Sequence, residues 1–312
     1  MDPNTMIEVF NNSLPLFQSS LSGVVGAILG TLFLSGNEFK KLKAKKFSEI
    51  TDILLKDGKI SYSELYRCHN FLKIAKLADG LLPHNGTDES HSNKYDFDWF
   101  IRFFDSVGYI SNEEMQQLWA KVLAGEITRQ GSFSFRTLEL IKNLSHQEAK
   151  LFQKISGFVL TGQTGLRFIL CMSDDLGVDI NELYGIGRKE FIQLEDCGLL
   201  SSIRSDNRIS LTTHPSGIWN NEIILCLRYK RTDGVLNSYK YSSYTLTPSA
   251  CQLLSVVDQT PDNDYLIAIG QELAKKYSGN LIVSAHKIID ANPYSFKYED
   301  NDLLEGWSNN EM

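Results

Sequence analysis

No Cys-x-x-Cys pair and no closely spaced pair of histidines occurs in this chain of 312 residues, which removes the common zinc-site spacings. The five cysteines, Cys68, Cys171, Cys197, Cys226 and Cys251, are odd in number and far apart, as expected of reduced thiols in a cytosolic body. A phosphate loop is also lacking, because Gly162 and Gly165 are not followed by Lys and Ser or Thr. Gly185 and Gly187 begin a dinucleotide-type pattern but have no third glycine and no preceding strand. There is no nucleophile elbow and no nuclease-type carboxylate cluster. Asp174 and Asp175 form a lone acidic pair of the kind that caps or solvates a loop. No catalytic site, metal or cofactor is expected. Charge-free runs are equally scarce: a single segment is long enough to suggest a membrane, which excludes a multi-span protein.

What is present is ordinary globular material, 42% hydrophobic and 22% charged. That composition excludes collagen, wholesale disorder and a disulfide-dense scaffold, and the length suggests about two domains. The net charge of −7 argues against a general nucleic-acid surface. Its distribution is uneven. Positions 1–36 hold only Asp2 and Glu8, positions 37–80 hold ten Lys/Arg against six Asp/Glu, and positions 81–312 carry a net −9.

The charge-free run lies between Glu8 and Glu38, and its apolar part, positions 14–34, is 21 residues long. That is about the length a helix needs to cross a bilayer, although Gln18, Ser19 and Ser20 dilute its first half. Ser22, Gly26 and Gly30 recur every four residues, a small-residue face that favours close helix packing in lipid or in an oligomer. Lys40, Lys41, Lys43, Lys45 and Lys46 follow at once. A basic run there holds that flank on the cytoplasmic side and attracts anionic headgroups. A soluble, glycine-rich hairpin buried in an oligomer is the competing reading of the same residues.

Farther along, helical spacing of apolar residues predicts amphipathic helices over 37–82, the second capped by Ser61 or Ser63. Positions 83–95 are rich in turn formers and read as a linker. Over 96–160 four capped helices are expected. One starts near Asp96, one at a capping box from Ser111 to Glu114, one at Ser134, and one at a second box from Ser145 to Glu148. Over 161–300 a helix at 187–197 leads through Gly198 to strand-like runs at 222–230 and 239–246 around a turn with Asp233 and Gly234. That order predicts a winged helix. The fold class expected is therefore mainly α with a smaller α+β part: a helical bundle followed by a winged-helix-like region, with 301–312 as a tail.

The run from Asp98 through Arg102 to Asp105, then Leu118-Trp119, then Leu123, Ala124, Gly125, Glu126 and Ile127, continues into Gly131, Ser132, Phe133 and Ser134 and on to Arg136, Thr137 and Leu138. This phrase resembles a bacterial family of unknown function related to the abortive-infection alpha proteins. The similarity is close over 96–160 and looser beyond. Gln130 stands where the family pattern has a proline. The resemblance implies phage defence and supplies no active site.

Read physically, Glu126 near a helix carboxyl end is disfavoured by the helix dipole and calls for a compensating group. Arg136 or Arg102 is the expected partner, with Trp119 packed across them and Asp105 completing a fold-holding polar network or protein contact surface. The function expected is a phage-defence protein of abortive-infection type at the inner face of the bacterial inner membrane. Its expected partners are further copies of itself, inner-membrane lipid and a phage or host protein. The alternatives are a soluble oligomeric scaffold or regulatory protein, and a winged-helix DNA-binding regulator using Arg188 and Lys189. Glu190, Glu195 and Asp196 beside those two residues weigh against nucleic acid.

Overall fold

A computed structural model describes residues 61–82, 96–170, 185–201, 205–211, 216–230, 237–277, 281–292 and 295–304. The charge-free segment with Ser22, Gly26 and Gly30, the five lysines at 40–46 and the linker at 83–95 lie outside the described residues. Contacts divide the chain into two units, Met1–His146 and Gln147–Met312.

The described part of the first unit holds α1 (Tyr62–Asp79), α2 (Phe97–Val107), α3 (Glu113–Thr128) and α4 (Phe135–Asn143). Each start is set by a side chain that satisfies a free amide of the first turn. Ser61 and Glu64 form a reciprocal capping box, Asp96 accepts from the Trp99 amide, and Ser134 accepts from the Thr137 amide. The third helix is capped by Asn112, one residue past the Ser111 expected. Helix α1 packs on α3 and α2, and α2 packs on α4.

Their shared core is aromatic. The rings of Trp99 and Phe103 stack at 5.2 Å, while Phe103 meets Trp119 edge-on at 5.4 Å and Phe71 meets Phe104 edge-on at 5.3 Å. Such pairs contribute about 0.5–1.5 kcal/mol each beyond the area they bury.

The second unit begins with α5 (His146–Ser156) and then β1 (Leu160–Gly162), β2 (Arg167–Leu170), α6 (Arg188–Asp196), β3 (Ser205–Leu211), β4 (Ser216–Trp219), β5 (Ile223–Tyr229) and β6 (Asn237–Thr245). It continues with α7 (Pro248–Leu254), α8 (Asn263–Lys276), β7 (Leu281–Asn292) and β8 (Ser295–Tyr298). All strand pairs are antiparallel, in one sheet of order β3-β6-β2-β1-β4-β5-β7-β8. On β5, Ile223, Leu225 and Leu227 are buried while Arg228 is exposed, and α8 covers β5 and β7. Gly270 lets α8 approach closely, since a Cβ there would stand 2.8 Å from Leu225. The buried Tyr265 hydroxyl donates to the Leu170 carbonyl and accepts from its amide, tying α8 to β2.

This sheet overturns the fold class expected, a helical bundle followed by a winged helix. A wing needs the runs near 222–230 and 239–246 to pair with each other. Instead β5 pairs with β4 and β7, β6 pairs with β3 and β2, and three strands separate them. Both runs are strands, but each takes both of its neighbours from elsewhere in the chain, so they form no local hairpin. Nor does 96–160 stand as one bundle, because the chain divides at His146 and its last helix begins the sheet-containing unit.

Of the tail expected at 301–312, residues 305–312 lie outside the described residues, and 301–304 are tied to β7. Asp302 accepts from the amides of Ala285 and Leu304, and the Leu303 amide donates to Ala285. Among the described residues, no helix is long and apolar enough to cross a membrane.

Candidate functional site

The shared phrase in the first unit resolves into one built turn. Glu126 lies in the last turn of α3, only 5% exposed. Its carboxylate accepts from the backbone amides of Gly131, at 2.7 Å, and Phe133, at 3.0 Å. The helix dipole that repels a carboxylate here is thus offset by two amide dipoles from the loop that follows.

Gly125, Gly131, Phe133 and Ser134 of the phrase serve the same turn. Gly131 has φ 80°, the left-handed region that favours glycine. Phe133 is buried, its carbonyl takes the Trp99 indole N–H at 2.7 Å, and its ring lies over Gly125, where a Cβ would sit 2.8 Å from it. Ser134 then caps α4.

The network expected around Glu126 does not assemble. Arg136 is exposed at the start of α4. Arg102 is exposed too, and its guanidinium lies 4.7 Å from the centre of the Phe135 ring. Trp119 is fully buried against Phe103 and its indole nitrogen has no partner among the described residues, nor has the side-chain oxygen Oε1 of Gln116.

Asp105 pairs with Arg67 of α1, a residue the sequence did not single out. Arg67 also lies over the rings of Phe104, at 5.2 Å, and Tyr109, at 5.6 Å. Its stem packs on Gly108, where a Cβ would meet the Arg67 side chain at 2.8–2.9 Å, and Asn70 donates to the Gly108 carbonyl at 2.7 Å. The phrase and its neighbours are therefore occupied in holding the fold.

In the second unit the ionisable groups are more dispersed. His286 directs Nδ1 at the carbonyls of Glu299 and Asn301, 3.0 and 3.1 Å away, so that nitrogen donates, and Nε2 lies 2.8 Å from the Ser284 hydroxyl. The arrangement ties β7 to the segment after β8, alongside the Asp302 contacts.

The four cysteines among the described residues are poor nucleophiles, their thiols all pushed up first by burial. Burial pushes the Cys68 thiol up to about 12, and burial followed by the neighbouring Glu148 does the same for Cys197. Among the described residues, no group of three or more His, Cys, Asp or Glu could hold a metal ion.

A cavity of about 340 Å³ lies in the second unit, within the size range of small-ligand sites. Its walls come from the β1–β2 hairpin (Thr161, Arg167), the β4–β5 turn (Asn221) and the loop after α7 (Ser255, Gln259).

A protein whose first unit holds four helices among its described residues, with an antiparallel sheet in its second unit and a phrase of structural residues in the first, is the class these features define. The chain belongs to the family of proteins of unknown function designated DUF2806, whose family model matches residues 58–270. No curated protein and no solved structure matches it. Membership does not tie the chain to abortive infection.

Proposed function

We propose that this chain is a two-part phage-defence protein of the abortive-infection type. Its body binds a phage or host protein, and its amino-terminal segment engages the inner membrane as a homo-oligomer. The observation that carries the reading is the order of charge along the chain: a run without charge at 9–37, five lysines at 40–46, then an acidic remainder. On this reading Ser22, Gly26 and Gly30 face other copies, and Lys40, Lys41, Lys43, Lys45 and Lys46 lie at the lipid headgroups. The fold-holding part played by Glu126, Gly131 and Phe133 supports a binding rather than a catalytic body, because the family phrase is accounted for without an active site.

Fractionation of full-length protein at low salt, with and without infection, tests the first step. The expected result is recovery with inner membranes and release on neutralising the five lysines. A wholly soluble protein under both conditions sinks the reading and leaves the soluble scaffold in its place. Replacing Gly26 and Gly30 with Leu tests the packing step, and protection that is unchanged by it removes the small-residue face from the mechanism.

A further inference from the structure

We infer that the cavity beside Arg167 is a binding site for a small molecule carrying an oxyanion, a carboxylate or a phosphate. Arg167 contributes the single charged side chain among the residues that line it. In a chain of net charge −7 that is an unusual environment, because an anion finds a cation there and no lining carboxylate opposing it.

The arginine is held in place before any ligand arrives. Its backbone is fixed in β2 by register with Thr161 and by the Leu246 amide bonding to its carbonyl, and its side chain is only half-exposed. One guanidinium nitrogen donates to the Cys251 carbonyl at 3.4 Å, a long bond. A guanidinium has five N–H donors in a planar fork that matches a carboxylate or phosphate edge, so most of its capacity is unspent on the described residues.

The neutral wall groups divide in a way that suits one anionic group rather than many. The Ser255 hydroxyl donates to the Gln252 carbonyl, and the Gln259 amide donates to the Leu254 carbonyl, so neither offers that proton to a ligand. Asn221, exposed at the β4–β5 turn, supplies a further amide at the rim. The competing assignment is that Arg167 only complements the carboxyl end of α7, where a cation is favoured.

The site belongs to the second unit and is independent of the membrane reading. Failure of the fractionation test leaves it standing, and failure here leaves that test unaffected. The experiment is a titration of the full chain with inorganic phosphate and, separately, with succinate at constant ionic strength, followed by amide chemical shifts. Saturable shifts that cluster on Thr161, Arg167 and Asn221 are expected with at least one probe. Phosphate alone points to a phosphorylated ligand, and succinate alone to a carboxylate.

Arg167→Gln should weaken binding at least tenfold and Arg167→Lys less, since an ammonium keeps the charge but loses the fork. Should Arg167→Gln fail to fold, Asn221→Asp decides. It adds a carboxylate at the exposed rim without touching the Cys251 contact, and it should also weaken binding at least tenfold. No saturable shift with either probe, or an affinity that survives Arg167→Gln or, should that variant not fold, Asn221→Asp, overturns the site and leaves Arg167 as a helix cap.

Discussion

Replacing Glu126 by Gln changes one oxygen to an amide nitrogen and leaves the volume alone, so it isolates the electrostatics of the turn. In the native protein each carboxylate oxygen takes one backbone amide, from Gly131 and Phe133. Glutamine offers one acceptor and sets its own N–H against the second amide. A hydrogen bond to a charged group contributes about 1.5–3 kcal/mol, and a buried donor left unpaired costs about 1–3 kcal/mol. One bond weakened and one lost should therefore destabilise the first unit by about 2–4 kcal/mol, a large share of the roughly 5–15 kcal/mol typical of a whole domain.

Urea denaturation followed by far-UV circular dichroism reads this directly. With a slope of about 2 kcal/mol/M, the middle of the usual range in urea, the midpoint of the affected transition should fall by roughly 1–2 M. The control is Arg136→Ala. Arg136 is exposed and takes no part in the turn, so its loss should change stability by less than about 0.5 kcal/mol. A Glu126→Gln midpoint indistinguishable from wild type refutes the amide-held turn. An Arg136→Ala effect of equal size would restore the side-chain ion pair in its place.

Two further outcomes follow from the titratable groups. Burial first, and the nearby Lys73 second, hold the His69 imidazole below its ordinary 6.5, so the folded state favours the neutral ring. Folding depresses this value, so the stability it contributes is fully present above about pH 6.5 and is lost as pH falls through the folded value. Acid titration of the unfolding midpoint should show that loss, and His69→Gln should flatten it; an identical acid limb in both proteins contradicts the assignment. The Cys68 thiol, pushed up to about 12 by burial, should resist alkylation at pH 8 until urea unfolds the first unit, as peptide mass spectrometry can follow. Modification of native Cys68 as fast as that of a free thiol would show that α1 opens without global unfolding.

Local chemistry was legible in the sequence wherever its range is a turn of helix. Asp96, Ser134, and Ser61 with Glu64 cap the helices expected of them because a cap and its target lie three residues apart. Strand positions were readable for the same reason: the runs near 222–230 and 239–246 are the strands β5 and β6.

Strand partners were not, and that is where the winged helix failed. Pairing is decided by which edges meet after collapse, and β5 meets β7 across more than fifty residues of chain. The candidate network failed on a different ground. Arg136 was the natural partner for Glu126 by residue type, yet the turn satisfies the carboxylate with main-chain amides, which every residue but proline carries and no composition reveals. Asp105 found its cation 38 positions upstream, on another helix.

By itself, then, the sequence determined where charge and its absence fall, where helices begin, and which residues make the family phrase. Tertiary structure decided what that phrase does, which strands adjoin, and that Arg167 faces a cavity, because each of those depends on groups brought together only when distant segments pack.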